Sequence, residues 1–110
     1  MPEIFKLSSF RRGWMVGDFS PSISRLKECE VSIMHHTKKE RTEPHYHTSS
    51  QEINVVVSGK VLVNDLILES DDIFVYNAYE ISDVEFIEDT TLCIIRIPSS
   101  PNDKVIIGVE

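Results

Sequence analysis

Apolar residues in this chain come in short runs broken by turn-forming residues, and no segment keeps a helical period over ten residues. The pattern predicts an all-β chain. Residues 4–10 read as a short strand or extended arm, and residues 11–19 hold an aromatic strand framed by Gly13 and Gly17. Ser20-Pro21-Ser22 is a turn, and residues 23–27 have room for one helical turn. The first long strand is expected over 28–37, followed by a charged, solvated loop over 38–43. Further strands are expected at 51–58, 61–63, 66–68, 73–76, 84–87, 91–97 and 105–109. Asn64-Asp65 suits the positive φ values of a tight hairpin. Eight or nine short strands joined by tight turns fit a small double-sheet jelly-roll barrel.

Alternation then sorts side chains between inside and outside. With Glu52 inward, Asn54, Val56 and Ser58 are expected inward, and Ile53, Val55 and Val57 outward. Three β-branched residues in a row on the outside leave an apolar stripe that needs a cover. The N-terminal arm with Phe10 and Trp14 would serve, or a second subunit. A homodimer is the expectation.

Composition narrows the class. At 110 residues the chain is expected to be a single domain, 1–110, with 1–27 an arm packing on the barrel or on a dimer partner. A formal net charge of -7 argues against nucleic acid as a partner, because neutralising phosphates needs a basic surface. A phosphorylated small molecule needs only one or two arginines and is not excluded. Cys29 and Cys93 lack metal-ligand spacing and read as reduced thiols, Cys93 as a buried one. No stretch approaches the length of a membrane span, so a cytoplasmic protein without membrane contact is expected.

Candidate chemistry gathers between Pro44 and Gly59. His45 and His47, two residues apart, leave the same face of a strand. Glu52 follows a gap of four residues, Thr48 to Gln51, which lets the chain turn into the neighbouring strand. Two imidazoles and a carboxylate suit a divalent ion with open positions, and Fe(II), Mn(II), Ni(II) and Zn(II) all accept such donors.

The same spacing, His45-x-His47, Glu52, Gly59, resembles the first motif of the cupin family. Residues 43–99 look like one cupin domain, and the opening Gly13-Trp14-Met15-Val16-Gly17-Asp18-Phe19 is similar to that of short stand-alone cupins. The resemblance implies a double-stranded β-helix. Lys39 stands where the family's first motif begins with glycine. Asp71-Asp72-Ile73 stands in place of Gly-Asp-Ile/Leu, and Asn77-Ala78-Tyr79 in place of Pro-Pro-Gly. Ser82 falls where a further ligand histidine is common, so three candidate ligands remain. Asp71 tolerates the left-handed turn its glycine would have taken.

Three readings follow. The first is a small-molecule-binding cupin, enzyme or not, with a divalent metal held by His45, His47 and Glu52 inside the barrel. The second is a metal-free carbohydrate or sugar-nucleotide site with His45 and His47 as acid and base, which resembles the cupin sugar-nucleotide isomerases. The third is a noncatalytic binding module. Asn54, Ser82 and Tyr76 are taken as pocket-lining, although core packing is the simpler role for Tyr76. His35 and His36 face opposite ways at a strand end, where exposure or ordinary packing outweighs ligation. Tyr46 is expected outward and Trp14 as a packing anchor.

Overall fold

The computed structural model describes residues 1–108. Among the described residues ten strands form, β1 (Trp14–Val16), β2 (Glu30–His36), β3 (His45–His47), β4 (Gln51–Ser58), β5 (Lys60–Val63), β6 (Leu66–Glu69), β7 (Ile73–Tyr76), β8 (Val84–Phe86), β9 (Thr90–Ile97) and β10 (Lys104–Ile106). The C-terminal strand expected to reach Val109 is shorter, and Val109 itself lies outside the described residues. Residues 4–10 make no strand. They hold a 3-10 turn at Leu7–Ser9, and a second follows at Arg11–Gly13. The turn of helix expected over 23–27 is absent, and Ser24 instead makes an isolated bridge to Val16.

One sheet has the order β1-β2-β9-β4-β7 and the other β6-β5-β8. The bridge His45↔Ser82 carries the second sheet on to β3, which pairs antiparallel with β10. β9 is hydrogen-bonded along its length on both sides, to β2 and to β4, so its register sets which inward residues meet. Between the sheets lie Met34, Val56, Val61, Val63, Tyr76, Val84, Phe86, Leu92 and Ile94. Each large aliphatic or aromatic side chain buried there stabilises the fold by about 1.5–3 kcal/mol.

Alternation on β4 holds for Glu52, Asn54 and Val56, which are buried. It fails at Ser58, which is exposed. The register against β9 slips between Val56 and Ser58, and that irregularity turns the end of the strand outward. Val57 is 50% exposed, while Ile53 and Val55 are half-buried. The N-terminal arm does not lie on this row. Phe10 is buried beside Ile33 and Met34, and β1 pairs with β2 at the far edge of the sheet. Cys93, on the same outer face, is half-buried rather than buried.

Turn chemistry follows the sequence closely. Asn64 and Asp65 have φ of 42° and 76°, the paired positive values of a tight hairpin. Lys39, Asp71 and Tyr79 also sit left-handed, at 75°, 76° and 68°. The backbone therefore keeps a glycine-type conformation at three places where this chain has no glycine. No helix among the described residues is long and apolar enough to cross a membrane.

Candidate ligand-binding site

A cavity of about 230 Å³ opens among the inward side chains at the end of the barrel where β9 finishes. Its wall includes His45, Glu52, Asn54 and Ser82, all buried. Arg12, Trp14, His36, Thr42, Arg96 and Lys104 add further polar groups to the wall, and Phe74, Leu92 and Ile94 supply apolar surface.

His45 is fixed through both its backbone and its ring. Its N–H donates to Ser82 O at 3.1 Å, and Ser82 N–H donates to His45 O at 2.7 Å, so the two residues face each other across the bridge. The ring Nδ1 donates to Glu43 O at 2.7 Å. A carbonyl can only accept, so Nδ1 carries the proton and Nε2 is left with a free lone pair. Burial pushes the His45 imidazole below its ordinary value, and the charges of Lys104 and His47 act the same way, while the bond to Glu43 opposes them. The ring is therefore neutral at physiological pH.

Glu52 is held by its neighbours in the sheet. Arg96 stands directly opposite it on β9, and Arg96 Nε donates to Glu52 Oε1 at 2.9 Å. Asn54 Nδ2 reaches Glu52 Oε2 at 3.3 Å. Glu30 lies opposite Arg96 on the other flank, with Oε2 3.9 Å from a terminal guanidinium nitrogen. The Trp14 ring covers the guanidinium at 4.6 Å, which suits a cation–π contact. Trp14 thus anchors the N-terminal strand, as expected, by packing on a charge. Burial raises the Glu30 carboxyl above the usual range, despite the Ser100 N–H and the Arg96 charge that favour its anion.

His47 is buried behind this wall and not on it. Its Nδ1 donates to Asp103 Oδ1 at 2.7 Å. Its Nε2 is buried without a hydrogen-bond partner, 3.9 Å from Glu52 Oε1. Asp103 also accepts the N–H groups of Ser49 and Ser50, at 3.1 and 3.0 Å, and so ties the loop before β10 to the β3–β4 turn. Burial works against the Asp103 anion, yet these bonds bring its carboxyl below the usual range.

The structure brings His45, Glu52, Asn54 and Ser82 to one cavity and sets His47 beside it, the two imidazoles edge to face with centroids 5.3 Å apart. Tyr76 does not line this cavity. It belongs to the core, and its hydroxyl donates to Asn64 Oδ1. Tyr46 is half-buried and stacks on Tyr79. His35 is exposed, whereas His36 points inward, stacks on Phe86 and pairs with Glu40.

The donor set can be tested against a divalent ion. Both histidines have Nδ1 engaged by an oxygen acceptor, as metal-bound imidazoles commonly do, and His47 Nε2 is orphaned. Glu52 does not fit. Its Oε1 accepts from the Arg96 guanidinium, whose positive charge repels a divalent cation. Among the described residues no group of three or more His, Cys, Asp or Glu side chains is placed to hold a metal ion. As placed, Glu52 is paired with a protein cation, and a divalent ion at these three residues would need Arg96 to give way.

Sequence reading missed Arg96, Lys104, Asp103 and the inward Glu30. Arg96 left a trace: β9 runs Thr90, Leu92, Ile94, Arg96 on its inward face, an apolar row ending in a cation. Asp103 and Lys104 left none, because their place depends on how the last loop folds back on β3.

No family model matches the chain, and no curated protein does. Solved structures do. A conserved protein with a double-stranded β-helix domain from Klebsiella pneumoniae has a TM-score of 0.68 at 16% identity, covering 94% of this chain and 90% of that one. A cupin superfamily protein from Desulfitobacterium hafniense has a TM-score of 0.61 at 11% identity, covering 68% and 72%. A bacterial pirin from Escherichia coli in complex with nickel(II) has a TM-score of 0.65 at 15% identity, covering 78% of this chain and 38% of that one. The chain has the all-β cupin fold.

Proposed function

We propose that this chain binds a small polar molecule in the barrel cavity through protein groups directly. The observation that carries the reading is the cavity wall itself. A neutral imidazole, a carboxylate, a carboxamide and a hydroxyl converge on a space of about 230 Å³. Buried polar groups that face a cavity gain most from a ligand able to satisfy them. His45 Nε2 and Glu52 accept hydrogen bonds from ligand hydroxyls, and Asn54 and Ser82 donate or accept. His45, neutral and fixed at Nδ1, is also the wall group suited to take a proton. That keeps the acid–base reading of His45 alive, whereas His47, behind the wall, acts through its neighbours.

The metal site of His45, His47 and Glu52 is the competing reading, favoured by the orphaned His47 Nε2 and by the cupin fold it shares with a nickel-bound pirin. It requires Arg96 to release Glu52.

Two measurements on untagged protein separate these readings. Elemental analysis is expected to find no stoichiometric transition metal. Thermal unfolding with a panel of polyols, monosaccharides and small hydroxy acids is expected to show stabilisation by at least one class. The gain is about 2.7 kcal/mol at a hundred times the dissociation constant. It is lost in Ser82→Leu, which fills the cavity. Stoichiometric metal that vanishes in both His45→Ala and Glu52→Ala would overturn the reading, as would a panel with no effect.

We also propose that the outer row on β4 and β7 pairs two copies of the chain.

A further inference from the structure

Three cations and a single carboxylate share the cavity wall, Arg12, Arg96 and Lys104 against Glu52. This local excess of positive charge stands in a chain whose formal net charge is -7. Arg96 is engaged by Glu52 and Glu30. Arg12 and Lys104 make no ion pair among the described residues. Among the described residues the Arg12 guanidinium hydrogen-bonds to Met34 Sδ, at 3.7 Å, and the nearby Glu40, which feels its charge, is paired with His36.

Arg12 is aimed at the cavity by its backbone. It sits left-handed, at φ 51° and ψ 30°, a conformation costly for a side chain with a Cβ. Two contacts hold it there. Ser32 Oγ, fully buried, donates to Arg12 O at 2.9 Å. Gly13 next to it has φ of 75° and lies so close to β2 that a Cβ would sit 1.8 Å from Ile33 O. The turn cannot relax without losing its seat against the sheet. Lys104 is placed by register, opposite His47 on β3. Its amine is lowered by burial and then by the charges of Arg12 and Arg96, against the pull of Glu43 and Glu52.

We propose that Arg12 and Lys104 form a carboxylate-binding subsite, and that the ligand of this cavity is a compact hydroxy acid. Its carboxylate is held by Arg12 and Lys104, and its hydroxyls by His45 and Glu52. An anion between the two free cations removes their mutual repulsion, and guanidinium is well matched to a planar carboxylate. The volume corresponds to about eight water molecules, enough for an acid of a few carbons and too small for a nucleotide. This inference rests on the binding reading above.

The test measures affinity by calorimetry on the full chain for matched pairs, glycerate against glycerol and gluconate against glucitol. The acids are expected to bind about tenfold tighter or more than their neutral partners. Arg12→Gln and Lys104→Gln should each shrink that ratio, and the double variant should bring it to one. Should Arg12→Gln fail to fold, Lys104→Gln and the salt dependence in the wild type decide. The acid preference must then fall in the variant and with rising ionic strength. Acids no tighter than polyols, or a preference that survives removal of both charges, would overturn the inference while leaving the cavity reading intact. Glycerol phosphate preferred over glycerate would overturn the carboxylate assignment. If no member of either pair binds, the cavity reading falls with it.

Discussion

Arg96 and Glu52 face each other directly across β9 and β4, Nε to Oε1 at 2.9 Å, with Glu30 opposite Arg96 on the other flank. The register of a strand paired on both sides has thus placed one cation between two buried carboxylates. Such a group contributes little net stability when intact, because desolvation offsets attraction, but it is costly to break.

Arg96→Leu should therefore cost about 3–5 kcal/mol, read as a lower urea midpoint at unchanged slope. Adding Glu30→Gln and Glu52→Gln to Arg96→Leu should return a large part of that loss. A single variant within about 0.5 kcal/mol of the wild type would show that the carboxylates do not depend on Arg96.

Much of this architecture was legible beforehand. Turn residues and alternating β-branched runs marked most of the strands, and His45-x-His47 with Glu52 marked the end of the barrel where the cavity lies. Alternation placed Asn54 and Val56 correctly and failed only at Ser58, where a local slip in pairing cannot be read from composition. What stayed hidden depends on register and on chain reversal. Arg96 becomes the partner of Glu52 only once β4 and β9 are aligned. Asp103 meets His47 only once the last loop returns to β3. Tyr76, taken as pocket-lining with core packing as the simpler role, proves to be core, because sequence alone does not tell a core-facing ring from a cavity-facing one.

Lys39 offers a test of backbone strain. At φ 75° it takes a left-handed conformation that costs about 1–2 kcal/mol for a residue with a Cβ. Its N–H donates to Phe86 O at 2.7 Å, a bond that glycine would keep. Lys39→Gly should stabilise the fold by about 0.5–1 kcal/mol, after the greater freedom of glycine in the unfolded chain is subtracted. Thermal unfolding should show a rise of several degrees. A fall in the midpoint would mean that the lysine side chain supplies contacts that outweigh the strain.

Glu40 sets a pH dependence. Partial burial opposes its ionisation, but the bond with His36 and the His36 charge outweigh it, so its carboxyl lies below the ordinary 4.5. A carboxylate depressed in the fold adds stability that is fully present above the unfolded value and is lost as pH falls through the folded value. Because Glu40 is substantially exposed, the contribution at neutral pH is less than about 1 kcal/mol. Wild type and Glu40→Gln should differ by that amount at pH 7 and converge below pH 4.5, as measured by urea unfolding across pH. A gap that persists in acid would assign the effect to packing instead of charge.

The outer face of β4 and β7 argues for a second copy. Val55 lies opposite Ile73 and Ile53 opposite Val75, so aliphatic side chains form a continuous patch on the outside of the sheet. Ile73 is 61% exposed and Val75 44%, and the N-terminal arm packs elsewhere. An apolar patch at the sheet edge, where β7 is the last strand, suits a two-fold contact in which the same residues meet their own copies. Sedimentation should give a species of twice the 12.6 kDa chain mass. Ile73→Lys with Val75→Lys should halve that mass without changing the far-ultraviolet circular dichroism, because both side chains point away from the core. A wild type that sediments as a single chain at high micromolar concentration would end this reading. The cavity is built from one chain's own residues and would stand unaffected.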